Sequence, residues 1–217
     1  TYEQCLDIIR YRETDMVLFQ ATSSTTSTPH SEADGPMSGT DYMAHHNLRG
    51  SACGYVFRKA ILHDLRFREG TLHEDEEFTP QLMLRAENVY STEGKAYHYR
   101  VRKDSITHKT DKRWRMRRLM DAEQVIYRLK NKADHLPVSE RIAMERRIAQ
   151  LTMDYIYNVI RMTHDATHLD RVLQRLTKHD LFPLPDKHYT KKYQCFRMLV
   201  NTAMGRRILM LALRVKG

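Results

Sequence analysis

Hydrophobic and polar positions divide the chain into two textures. Up to about residue 110 the apolar runs are short and of mixed period. After that the pattern is helical almost throughout. Tyr2 to Glu13 places Cys5, Ile8 and Ile9 on one side, which predicts an amphipathic helix. Asp15 to Gln20 is a short apolar run rich in β-formers and predicts a buried strand. Ala21 to Ser38 loses its periodicity, is rich in Ser and Thr, and holds Pro29, Gly35 and Pro36, so it reads as a long loop. A short helix is expected over Gly39–His46, a strand over Ala52–Arg58 and a helical turn over Lys59–Asp64.

Thr79-Pro80 reads as an N-cap followed by proline in the first helical position. A helix is therefore expected over Pro80–Ala86, with Leu82 and Ala86 inward and the acids Glu74 to Glu77 on the loop before it. Asn88–Thr92 and Ala96–Arg102 read as two strands. Four helices follow, Arg113–Asn131, Ser139–His164 with Ser139 as its cap, Leu169–His179 and Lys191–Val215, punctuated by Pro137, Pro183 and Pro185. The fold class is thus α/β for residues 1–110, followed by an α-helical part for residues 111–217.

The chain has 217 residues, 41% of them hydrophobic, enough for one large domain or two small ones. No run of about 18 apolar residues occurs, and no signal peptide pattern opens the sequence. Cys5, Cys53 and Cys195 are widely spaced and show no CxxC or Cys/His metal pattern, so reduced packing thiols in a cytoplasmic protein are expected. The net charge of +9 calls for an anionic partner without naming it.

One stretch carries chemistry. His73-Glu74-Asp75-Glu76-Glu77-Phe78 lies between Gly50-Ser51-Ala52-Cys53-Gly54-Tyr55-Val56-Phe57-Arg58-Lys59 and Tyr97-His98-Tyr99-Arg100 with Ser105-Ile106-Thr107. Leu65-Arg66-Phe67-Arg68-Glu69-Gly70 leads into it. On its own the acid run is a helix start, where carboxylates complement the N-terminal dipole. Glycines at 50 and 54 suit either close backbone approach to a ligand or plain strand packing.

In order and spacing, these marks over Tyr2 to Thr107 resemble the second half of the catalytic domain of bacterial family 2 glycosyltransferases. The resemblance implies the GT-A fold, an inverting transfer from a nucleotide-sugar donor to a glycan or polyprenyl-linked acceptor in surface polysaccharide synthesis, and a divalent metal, Mg or Mn. It makes Asp75 the catalytic base with Glu74 its neighbour, and places Gly50, Ser51, Gly54 and Tyr55 in the substrate pocket. It sets Arg100, Arg102 and Ser105 on the donor diphosphate, and His98 or His108 toward the metal. The Asp-x-Asp metal motif and nucleotide-binding region of such enzymes have no counterpart here. The expectation is therefore a C-terminal portion with no transferase activity alone and no metal bound, whose uncovered edge invites a homodimer. The basic last helix, with its broad apolar face, suits peripheral contact with the inner face of the cell membrane. The alternative is a basic helical module that binds nucleic acid or a protein partner. The absence of helix-turn-helix, zinc-ligand and RNP signatures weighs against nucleic acid.

Overall fold

In a computed structural model the chain is mixed α/β, and residues 2–23, 32–100 and 111–214 are described. It divides into two compact units: Thr1–Thr110 with Pro137–Met144, and Asp111–Leu136 with Glu145–Gly217.

The first unit is built on a four-stranded mixed sheet in the order β2-β4-β1-β3. The strands are β1 (Met16–Thr22), β2 (Ala33–Met37), β3 (Tyr55–Phe57) and β4 (Val89–His98). β1 runs parallel to β4 and antiparallel to β3, and β2 is antiparallel to β4. Helix α1 (Tyr2–Tyr11) packs on β1, β3 and β4. Alternation along β1 sends Val17 and Phe19 to that side, where they bury with Cys5 and Tyr90 against Ile8 and Ile9. Asp15 ties the strand starts together: its carboxylate accepts the Glu87 and Asn88 amides, and its carbonyl accepts Arg58 N–H.

Two expectations about strands change. β2 lies inside the segment read as a loop, because Gly35 and Pro36 disguise it. The two strands read around Gly94 are one strand, β4, carrying a bulge. Its Ser91 pairs with Leu18 and its Lys95 with Gln20, so β4 spends two extra residues there. The Gly94 amide donates to Thr92 Oγ1 at 3.1 Å within that bulge.

Helices α2 (Gly39–His45) and α3 (Glu74–Met83) pack against each other. A Cβ on Gly39 would stand 1.8 Å from the Met83 carbonyl oxygen, so only glycine permits this approach. Gly39→Ala must push α2 off α3, and a loss of about 3 kcal/mol in urea unfolding is expected. An unchanged midpoint would contradict the packing.

The start of α3 is also corrected. It begins at Glu74 rather than Pro80, so the four acids form its first turn and Pro80 lies inside it. Thr79 is not a cap: its hydroxyl donates to the Gly50 carbonyl at 2.7 Å and meets Tyr55 OH at 3.0 Å. The segment before the helix holds it in place. Phe67 stacks on Phe78 with centroids 4.0 Å apart, and Arg68 lies 3.5 Å from the buried Glu77 carboxylate.

The second unit is helical, with α4 (Lys112–Ala133), α5 (Val138–Thr163, from Glu145 onward), α6 (Ala166–Thr177), α7 (Lys191–Val200) and α8 (Ala203–Arg214). α5 begins one residue before Ser139, which is therefore not its cap. α6 starts earlier than expected because Asp165 accepts the His168 amide. The single long helix expected over Lys191–Val215 is two. The Asn201 side chain brackets Leu184 N–H and C=O, and Thr202 Oγ1 accepts the Gly205 amide to cap α8.

Glu123 organises this unit. It is 6% exposed. Its carboxylate takes a two-point grip from Arg175, Nε to Oε1 at 2.7 Å and Nη2 to Oε2 at 2.8 Å, plus Tyr127 OH at 2.5 Å and Tyr155 OH at 2.7 Å. Burial alone would raise this acid. The guanidinium and the two hydroxyls outweigh it and hold the carboxyl below its usual range. Both tyrosines move the other way, because burial and the adjacent carboxylate disfavour a phenolate.

Candidate functional site

The site belongs to the first unit. The C-terminal half of β1, the β4 bulge and the segment leading into β3 enclose a cavity of about 380 Å³. Its wall mixes aromatic and hydrogen-bonding groups: Tyr42, Tyr55, Gln20, Asn47, Arg49 and Glu93. Arg49 Nη1 donates to Gln20 Oε1 at 2.7 Å, which fixes that guanidinium across the rim. Tyr42 stacks on His46, and burial followed by the neighbouring Glu93 raises its hydroxyl. The bulge supplies Thr92 and Glu93, a common use of an irregular strand beside a pocket.

Of the residues singled out in the sequence, Ser51, Gly54 and Tyr55 line this cavity. Gly50 does not. A Cβ there would lie 2.0 Å from Glu76 Oε2 and 3.0 Å from Glu76 Cα, so this glycine makes room for α3 and not for a ligand. Gly54 has only ordinary contacts for an added Cβ, the nearest 3.4 Å from Ser51 O, so packing does not demand a glycine there.

Asp75 is half-buried in the first turn of α3. It lies one turn before Thr79, on the same helix face. Thr79 itself bonds Gly50 and Tyr55 through the two hydrogen bonds already described. Asp75 is not itself part of the cavity wall. Its negative charge acts on Tyr55, whose hydroxyl is raised by burial and, to a lesser degree, by Asp75. The Asp75 carboxyl is pushed up to about 6, first by burial and then by Glu76 and Glu74 beside it. Its Oδ1 accepts the Glu76 amide at 2.9 Å, which offsets part of that rise. Glu74 is half-buried on the same turn.

Neither His98 nor Arg100 lines the cavity. His98 ends β4 opposite Thr22, and the His98 and Arg100 side chains are exposed. Arg102, Ser105 and His108 lie outside the described residues. Among the described residues no group of three His, Cys, Asp or Glu is placed to hold a metal ion. Of the cysteines, Cys5 is buried as a packing residue, but Cys195 is exposed and does not pack.

Sequence reasoning missed the Tyr55–Thr79–Gly50 link and the polar wall of Gln20, Tyr42 and Arg49. The first joins residues 24 and 29 positions apart. The Thr79-Pro80 pair was a signal, but it pointed to a cap. Compared with models of known protein families and with curated proteins, the chain matches none.

Proposed function

We propose that this chain is part of an inverting glycosyltransferase of the GT-A type, related to bacterial family 2, with Asp75 as the general base. The observation that carries the reading is the Asp75 carboxyl. It is half-buried, raised to about 6, and its charge acts on Tyr55, which stands on the wall of a polar, aromatic-lined cavity. A base is most effective when its pKa lies near the working pH, and an ordinary aspartate is too weak for that. Aromatic faces interleaved with amide, carboxylate and guanidinium groups suit a sugar, which offers apolar C–H faces and many hydroxyls.

In the proposed step an acceptor hydroxyl gives its proton to Asp75 as its oxygen forms the bond to the anomeric carbon of the donor. The bond from that carbon to the diphosphate breaks on the opposite face, and the electron pair leaves with the phosphate. The chemistry suits a cytoplasmic enzyme using nucleotide sugars, with a glycan or lipid-linked acceptor. Among the described residues no helix is long and apolar enough to cross a membrane.

The test is an assay of the complete gene product with divalent metal, a panel of nucleotide sugars and glycan or polyprenyl-linked acceptors. Release of nucleoside diphosphate that depends on the acceptor is expected. Failure to release it with every donor, while the protein binds none of them, would count against the reading.

A further inference from the structure

The α8 helix is apolar on two sides. Leu209 and Gly205 face inward and are buried. On a separate side Met204, Ile208 and Leu211 are 74%, 47% and 66% exposed, at positions i, i+4 and i+7 of one stripe. A helix that only packs against its own domain needs one apolar face, and its outer face is normally polar. The outer face of α8 carries instead an apolar stripe with the exposed Arg207 at its edge. The charge along the C-terminal stretch of the sequence has one sign. After Asp186 the sequence holds eight Lys and Arg and no Asp or Glu. Arg197 is engaged by Asp186, and Lys192 by Asp154. Lys187, Lys191 and Arg207 remain exposed.

We infer that the outer face of α8 docks on an anionic bilayer surface, with Met204, Ile208 and Leu211 entering the headgroup–acyl boundary and the basic side chains meeting the lipid phosphates. Apolar burial and attraction to anionic lipid act together in such a helix. A second copy of this chain is the poorer occupant, because two such faces would bring like charges together. An acidic protein would satisfy the cations but leaves the all-aliphatic stripe less well served than hydrocarbon does. The surface stands whether or not Asp75 is a base.

The test is flotation of the full 217-residue chain with vesicles of phosphatidylcholine alone and of phosphatidylcholine with phosphatidylglycerol. Binding is expected only with the anionic lipid. Ile208→Glu with Leu211→Glu should weaken it at least about tenfold by removing the inserted surface. Arg207→Glu alone should weaken it about fivefold or more, and added salt should mimic that change. All three positions are exposed, so unchanged circular dichroism and Tm are expected as the folding control. Three results would each overturn the proposal: no flotation with the anionic vesicles at low salt, equal binding by the Ile208/Leu211 variant, or a concentration-dependent dimer in light scattering that the same variant disperses.

Discussion

Asp75→Asn in the complete gene product is expected to lower kcat by about 10²–10⁴-fold, the usual contribution of a positioned base. Asparagine keeps the shape and the oxygen that accepts the Glu76 amide, but it cannot take a proton. Donor affinity should therefore stay within a few-fold of the original. In the unaltered protein kcat/KM should rise with pH through about 6, because the base works only when ionised. A stability readout separates loss of a base from loss of fold. Folding raises the Asp75 pKa above its ordinary 3.8, so the folded state holds the proton more tightly. Stability is then greatest below about 4 as far as this group is concerned, falls as pH rises from there to about 6, and stays low above. The side chain is partly exposed, so after screening the effect is about 1–2 kcal/mol. Asp75→Asn should remove that slope and raise Tm at pH 7.5 by about 2–4 °C. A variant that keeps near-normal kcat excludes Asp75 as the base.

Arg175→Met is expected to cost about 3 kcal/mol in urea unfolding, because it leaves the buried Glu123 carboxylate without its cation. The double variant Glu123→Leu with Arg175→Met should lose clearly less, since no buried charge is then left unpaired. The pH dependence has the opposite sign to that of Asp75. Glu123 is held below its ordinary 4.5, so its contribution is present above that pH and is lost as pH falls through the folded value. Equal losses for the single and double variants would mean that the charge pair is not what matters there.

Local patterns in the sequence predicted much of the fold, and contacts between distant residues account for most of the departures. The apolar sides of α1 and α3 were visible in Cys5, Ile8 and Leu82, because helical spacing is a local property. So was β1, whose Met16 to Phe19 run has strand length and composition. The first residue of α3 was not. A Thr-Pro pair carries the chemistry of a helix start, yet here Thr79 spends its hydroxyl on Gly50 and Tyr55 across the fold. Gly94 looks like a strand end and is a bulge, because pairing with β1 on both sides of it keeps the strand going. The α7–α8 break at Asn201 rests on hydrogen bonds to Leu184, which no window along the helix can reveal.

The site divides in the same way. Asp75, Ser51, Gly54 and Tyr55 were singled out by residue type and order; Ser51, Gly54 and Tyr55 line the cavity, and Asp75 lies off its wall. Gly50 was expected in the pocket but does not line it, and instead accommodates Glu76. Tyr42, Arg49 and Gln20 carried no sequence mark, because each is an ordinary polar residue until the bulge and the β3 approach bring them together. The Phe67–Phe78 stack and the Arg68–Glu77 pair give a physical reason for the Leu65–Gly70 pattern: it anchors the acid-bearing helix.

Everything proposed for catalysis depends on one carboxyl group whose surroundings make it a competent base near neutral pH. Carboxyl carbon titration of Asp75 by ¹³C NMR, assigned by its disappearance in Asp75→Asn, reads that property directly. A midpoint at about 6 is predicted. A midpoint at the ordinary 3.8 would mean that the group is a solvated helix-start acid, and the transferase reading of this site would fall with it.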